Sequence, residues 1–216
     1  FTKPQDVQPP LFYGLLHFWI KIFGNDTFAL RLLPALLSAF AIPLIFALGK
    51  SIFGRFPDGN LGEKIGLFAA FVFAISQANI RFAQNLRMYS LLLLFSLLSV
   101  YFLNEYFKNP SKKYIVLYAV SASLAVYSHY FAGILLIAEF LYAIFFYKKY
   151  NLKFLNVFSM FVLAGIIILP LLPTFYSQYL IKSVAEQTFI SGDPLLKVSF
   201  AALGQNNIFV RLALIF

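Results

Sequence analysis

Apolar residues come in runs of about twenty separated by short polar stretches. That spacing suits helices crossing a hydrocarbon core of about 30 Å at about 1.5 Å rise per residue. The pattern predicts spans over residues 32–53, 88–107, 114–127, 131–147 and 154–176, with a shorter one from 65 to about 75 that loses its apolar character at Ser76-Gln77-Ala78-Asn79. Ahead of them, DVQPPLFYGLLHFWIKIFG (6–24) turns from polar to apolar at Pro9-Pro10. Pro9 keeps its predecessor extended and Pro10 suits a first helical position, so Asp6 and Gln8 belong to a stiff, non-helical entrance. The helix that follows reads as lying at the membrane surface, with Tyr13 and Trp19 at headgroup level, Lys21 snorkelling outward and Gly24 ending it. Asn25-Asp26-Thr27 then offers a turn and an N-cap.

Composition agrees: 61% of residues are apolar and 12% charged, against about 45–50% and 25% in soluble domains. The chain is an integral membrane protein. A net charge of +9 would suggest nucleic acid, but the bases sit in short loops between apolar runs and leave no soluble aromatic-basic surface, so that partner is rejected in favour of membrane lipids. With no cysteine there is neither a disulfide framework nor a thiolate metal site. Phe1 falls inside what reads as a loop and Phe216 inside an apolar run, so the sequence is expected to be a piece of a longer protein with at least one helix upstream.

Charge sets the expected orientation. Lys50, Arg55, Lys64, Lys108, Lys112, Lys113, Lys148, Lys149 and Lys153 occupy alternate loops, nine of the 17 bases in three short stretches, which makes that side cytoplasmic. The opposite, extracytoplasmic face receives Asp6, Gln8, residues 81–89, His129 and the polar segment 177–197. The layout is thus the end of a first extracytoplasmic loop with its interfacial helix (1–31), a bundle of about six spans (32–176), a second extracytoplasmic loop (177–199) and the start of another span (200–216).

Few residues can carry chemistry. Arg87, in Gln84-Asn85-Leu86-Arg87-Met88-Tyr89, stands where a span meets the outer boundary, and from position alone a snorkelling arginine explains it equally well. So close to the core it needs an anion, and its planar fork fits phosphate oxygens. His129, in a tight hairpin with Tyr130, could meet acceptor, phosphate or metal, although a lone histidine without ligand-spaced partners reads first as a hairpin residue. His17 reads as packing. Glu139, inside the fifth span, must face protein and reads as a polar helix contact in preference to a proton relay. Lys182, Glu186, Asp193 and Lys197 read as solvated loop positions.

Asp6-Val7-Gln8-Pro9-Pro10-Leu11-Phe12-Tyr13, the helix through His17 and Trp19, Phe28-Ala29-Leu30-Arg31-Leu32-Leu33-Pro34, then Arg87-Met88-Tyr89 and Ser128-His129-Tyr130-Phe131 resemble, in order, the motifs of the protein mannosyltransferase-like membrane glycosyltransferases. The likeness covers the chain to about Tyr147 and fades beyond. It implies an all-α polytopic transmembrane bundle of GT-C type. It also implies inverting transfer of a sugar from a polyprenyl-phosphate donor to an acceptor hydroxyl of a lipid, glycan or protein, on the extracytoplasmic face. A carboxylate takes the acceptor proton and cations stabilise the departing phosphate. Carried onto this chain, the resemblance makes Arg87 the phosphate ligand with Tyr89 beside it, and Gln8, His129 and Tyr130 the lining of the substrate cavity. Asp6 is the fallback base, since the principal acid of such proteins lies in the loop upstream of the Pro pair, ahead of Phe1. No protein metal site is expected, while a divalent cation remains open as cofactor. Two departures stand out: relatives often have His or Lys where this chain has Gln8, and an acid where it has Asn85. A transporter or lipid flippase, with Ser76 to Asn79 as a broken helix, and a non-catalytic envelope-assembly subunit are the alternative readings.

Overall fold

The computed structural model describes residues 8–54 and 60–179. The expectations for Asp6, Arg55 and residues 180–216 lie outside them. Among the described residues every long element is helical: α1 (Leu11–Phe23), α2 (Thr27–Phe53), α3 (Leu61–Ile75), α4 (Gln77–Gln84), α5 (Tyr89–Lys108), α6 (Lys112–Ser128), α7 (Ala132–Phe146) and α8 (Phe154–Ile168). The all-α polytopic expectation holds. By length and apolar character α2, α5 and a continuous helical run Phe154–Tyr179 are each sufficient to cross a membrane. The pair α3 and α4 adds a fourth crossing if taken as one span bent by 56°. At about 1.5 Å per residue the 15-residue α7 reaches only about 22 Å, short of a full hydrocarbon core.

The boundaries follow local chemistry. Asp26 caps α2 through the Ala29 amide at 3.3 Å, so α2 begins five residues before the apolar run expected at Leu32. Gly24 closes α1 at φ 86°, where a side chain would be strained. Ser76 ends α3 in an extended conformation and its hydroxyl accepts from the Asn79 amide to start α4. The break is anchored, because buried Asn79 also accepts a 2.6 Å hydrogen bond from Ser38 of α2. Residues 177–179, expected to open a polar segment, are helical, since one 3-10 turn at Leu169–Leu171 absorbs Pro170 and the helix then runs on to Tyr179.

α6 is central. Tyr118, Ala119, Ala122 and Ala125 are wholly buried, and its small side chains let α5 and α8 approach closely. Glu139 of α7 faces this core: its carboxylate accepts from Ser99 of α5 at 2.8 Å and from Tyr118 of α6 at 2.9 Å. It is the polar helix contact expected for an acid in a span. Glu139→Leu should therefore lower stability by about 1–2 kcal/mol, because the buried Tyr118 hydroxyl loses its acceptor while Ser99 can still donate to Ser96 O at 2.9 Å, and Glu139→Gln should lose less. Thermal unfolding in detergent checks the order.

The surface helix α1 is fixed more tightly than its sequence suggests. Phe12 is fully buried in a cluster with Leu33 of α2, Leu91 of α5 and Met88. The Trp19 indole N–H donates to Ala29 O at the start of α2, at 2.8 Å, and its ring lies 4.1 Å from Phe23. The polar tip of Trp19 is thus met inside the protein, which ties α1 to the start of α2.

Candidate active site

The helices alternate in direction, so the bundle has two unlike ends. Lys50, Lys64, Lys108, Lys112, Lys113, Lys148, Lys149 and Lys153 stand at or just beyond the helix ends of one. The starts of α1, α5 and α7 and the end of α6 meet at the other, where the sequence-predicted residues collect.

The turn between α4 and α5 presents Arg87 and Tyr89. Its shape is set from both sides. The Arg87 amide donates to Asn85 O at 2.8 Å, Met88 is buried in the Phe12 cluster, and the Ser90 hydroxyl reaches back to Phe82 O at 3.2 Å. Met88 and Ser90 point inward and leave the Arg87 side chain exposed. Leu11 and Tyr13 of α1 and Tyr89 pack on the same cluster, which joins the Pro-pair motif to the Arg-Met-Tyr motif.

The third motif meets them through rings. Tyr89 stacks on His129 with centroids 6.4 Å apart and planes at 25°, and Phe82 lies 5.0 Å from Tyr89 on another side. Within the hairpin the Phe131 amide donates to His129 Nδ1 at 3.1 Å. An imidazole that accepts at Nδ1 carries its proton at Nε2 when neutral, and burial holds the His129 pKa below its ordinary value. In that neutral form its Nε2 is a hydrogen-bond donor.

Tyr130 points to a different partner. Its hydroxyl donates to Gln178 Oε1 at 2.7 Å, and Gln178 Nε2 donates to the main-chain oxygen of Gln8 at 3.1 Å. Burial pushes the Tyr130 phenol up to about 12, so it stays protonated and cannot serve as a base. Gln178 connects two predicted site residues, and the sequence reading gave it no role. Its signal lay in spacing: Thr174, Ser177 and Gln178 recur at helical intervals past the prolines.

The structure therefore brings Gln8 to Tyr130 through Gln178 and Tyr89 to His129, with Arg87 beside Tyr89; Asp6 falls outside the described residues. Among the described residues no three His, Cys, Asp or Glu side chains gather as a metal site. The sequence model of the dolichyl-phosphate-mannose-protein mannosyltransferase family matches residues 7–176, from just behind Asp6 through the hairpin and into the helical run Phe154–Tyr179. The chain belongs to that family. It is a membrane glycosyltransferase. No curated protein and no solved structure matches it. The family match covers all three motifs whose residues meet at the hairpin end.

Proposed function

We propose that this protein transfers a glycosyl group, with inversion, from a polyprenyl-phosphate donor to an acceptor hydroxyl at the hairpin end of the bundle, and that this end faces the extracytoplasmic side. The observation that carries the reading is the meeting of Arg87-Tyr89 with the Pro-pair entrance and the His129 hairpin in a chain of this family. Arg87 receives the donor phosphate as a forked, permanently charged ligand and holds it as negative charge develops on the leaving oxygen. Tyr89 is fixed by Phe82 and His129 beside it and lends a hydroxyl. The neutral His129 offers its Nε2 proton to a substrate oxygen. A carboxylate takes the acceptor proton as the glycosidic bond forms and the carrier phosphate departs; Asp6, just ahead of the Pro pair, is the candidate within this chain.

Sidedness is supported by the bases at the opposite end, which fit a cytoplasmic surface. The chain has no cysteine, which permits a direct test. Asn109→Cys sits exposed in the basic turn, and Phe131→Cys replaces a side chain 72% exposed in the hairpin. In intact cells an impermeant maleimide is expected to label the second and not the first; the reverse pattern would place the site in the cytoplasm. For the reaction itself, membranes with the full-length protein should transfer radiolabel from a polyprenyl-phosphate sugar and not from the corresponding nucleotide sugar. Direct use of the nucleotide sugar would refute the donor class.

A further inference from the structure

Gln178 uses both ends of its amide, accepting from the Tyr130 hydroxyl and donating to the Gln8 main chain. It bridges parts of the chain 170 residues apart. The bridge is itself held, because neighbouring Ser177 is buried and the Phe175 ring meets Tyr130 edge-on at 4.9 Å. Fully buried Pro9 restricts the Gln8 main chain from the other side. With its backbone pinned this way, Gln8 keeps one polar atom unused: side-chain Oε1 is buried and has no hydrogen-bond partner. A buried acceptor left unmet is expensive, and in a native protein it points to a ligand or water that completes it.

The chemistry of that atom selects what it takes. An amide carbonyl oxygen accepts hydrogen bonds and repels phosphate oxygens, so it suits a neutral O–H group. Arg87 suits the opposite class. We propose that Gln178 is a positioning residue, holding Gln8 so that Gln8 Oε1 receives a hydroxyl of the bound donor sugar or of the acceptor. This rests on the glycosyl-transfer reading above. The anionic carrier phosphate goes to Arg87 and the uncharged hydroxyl to Gln8, so the two ends of the substrate are read by groups of opposite polarity.

The test uses the full-length protein in nanodiscs, with radiolabelled polyprenyl-phosphate mannose, glucose and galactose as donors and a membrane extract as acceptor source, each varied in turn. Gln8→Leu is expected to raise KM about tenfold for whichever substrate brings the hydroxyl, the loss of about one hydrogen bond, with kcat changed less than about twofold. Its thermal midpoint should equal or exceed that of the wild type, because the variant removes an unmet polar atom. Gln178→Leu should raise the same KM to a similar extent. Gln178→Glu should fail to rescue, since it still accepts from Tyr130 but cannot donate to Gln8. The double variant should be no worse than either single one. An unchanged KM in Gln8→Leu overturns the proposal even if Gln178→Leu does not fold. So does a Gln178→Leu protein that loses thermal stability with KM intact, wild-type KM in Gln178→Glu, or additive effects in the double variant. A wild type that transfers sugar from a nucleotide sugar and from no polyprenyl-phosphate sugar overturns the donor reading above and this proposal with it, whereas normal wild-type transfer with unmoved KM values overturns this proposal alone.

Discussion

Membranes carrying full-length Arg87→Ala are expected to lose glycosyl transfer by at least about a hundredfold, the scale on which removal of a single charge-stabilising donor acts on a transition state. The protein should still insert and fold. Arg87 is exposed, and the turn that carries it is held by the Met88 side chain and the Ser90 hydroxyl, neither of which the substitution touches. Arg87→Lys should recover only a small part of the activity, because an ammonium supplies the charge without the planar fork. Assay of donor turnover, together with a gel-filtration profile in detergent, separates chemistry from folding. Full activity in Arg87→Ala would remove Arg87 from the site, and equal activity in Arg87→Lys would reduce its role to charge alone.

The largest effect on stability is expected far from the site. Gly66 of α3 lies against α2 so closely that a Cβ there would stand 2.5 Å from Phe46 O, and one on Gly49 of α2 would stand 2.5 Å from Gly66 Cα. Both obstacles are backbone, which cannot swing aside as a side chain would. Gly66→Leu should force α2 and α3 apart and destabilise the protein by roughly 3 kcal/mol or more, seen as a lowered thermal midpoint and poor recovery from membranes. Gly133, where an added Cβ meets nothing within 4 Å, provides the control: Gly133→Ala should behave as the wild type. A Gly66→Leu protein of normal stability would mean that the two helices do not pack through these glycines.

Much of this was legible from the sequence because lipid simplifies it. A run such as 88–107 has few alternatives to a spanning helix once water is absent, and α5 (Tyr89–Lys108) is displaced from it by one residue. The cap at Asp26 and the stop at Gly24 were legible for local reasons. The gathering of Arg87, Tyr89, His129 and Gln8 at one end follows from helix alternation alone. Three features were not legible, each because the deciding partner is distant in the chain. Nothing near Trp19 shows that its indole N–H goes to Ala29 O. Nothing near Asn79 shows that Ser38 will meet it. Pro170 and Pro173 signal an ending that a single 3-10 turn evades, and so Gln178 was assigned to a loop.

Phe12 has a consequence for how the substrate arrives. With that ring wholly buried and Trp19 tied to α2, lifting α1 away would expose a phenylalanine, a cost of about 1.5–3 kcal/mol, and break a hydrogen bond worth about 1 kcal/mol. Such a helix behaves as a fixed doorpost and not as a swinging flap. For the proposed donor, whose prenyl chain would bring its phosphate to Arg87 from the lipid, any route that lifts α1 carries that cost, and a sideways route past it does not.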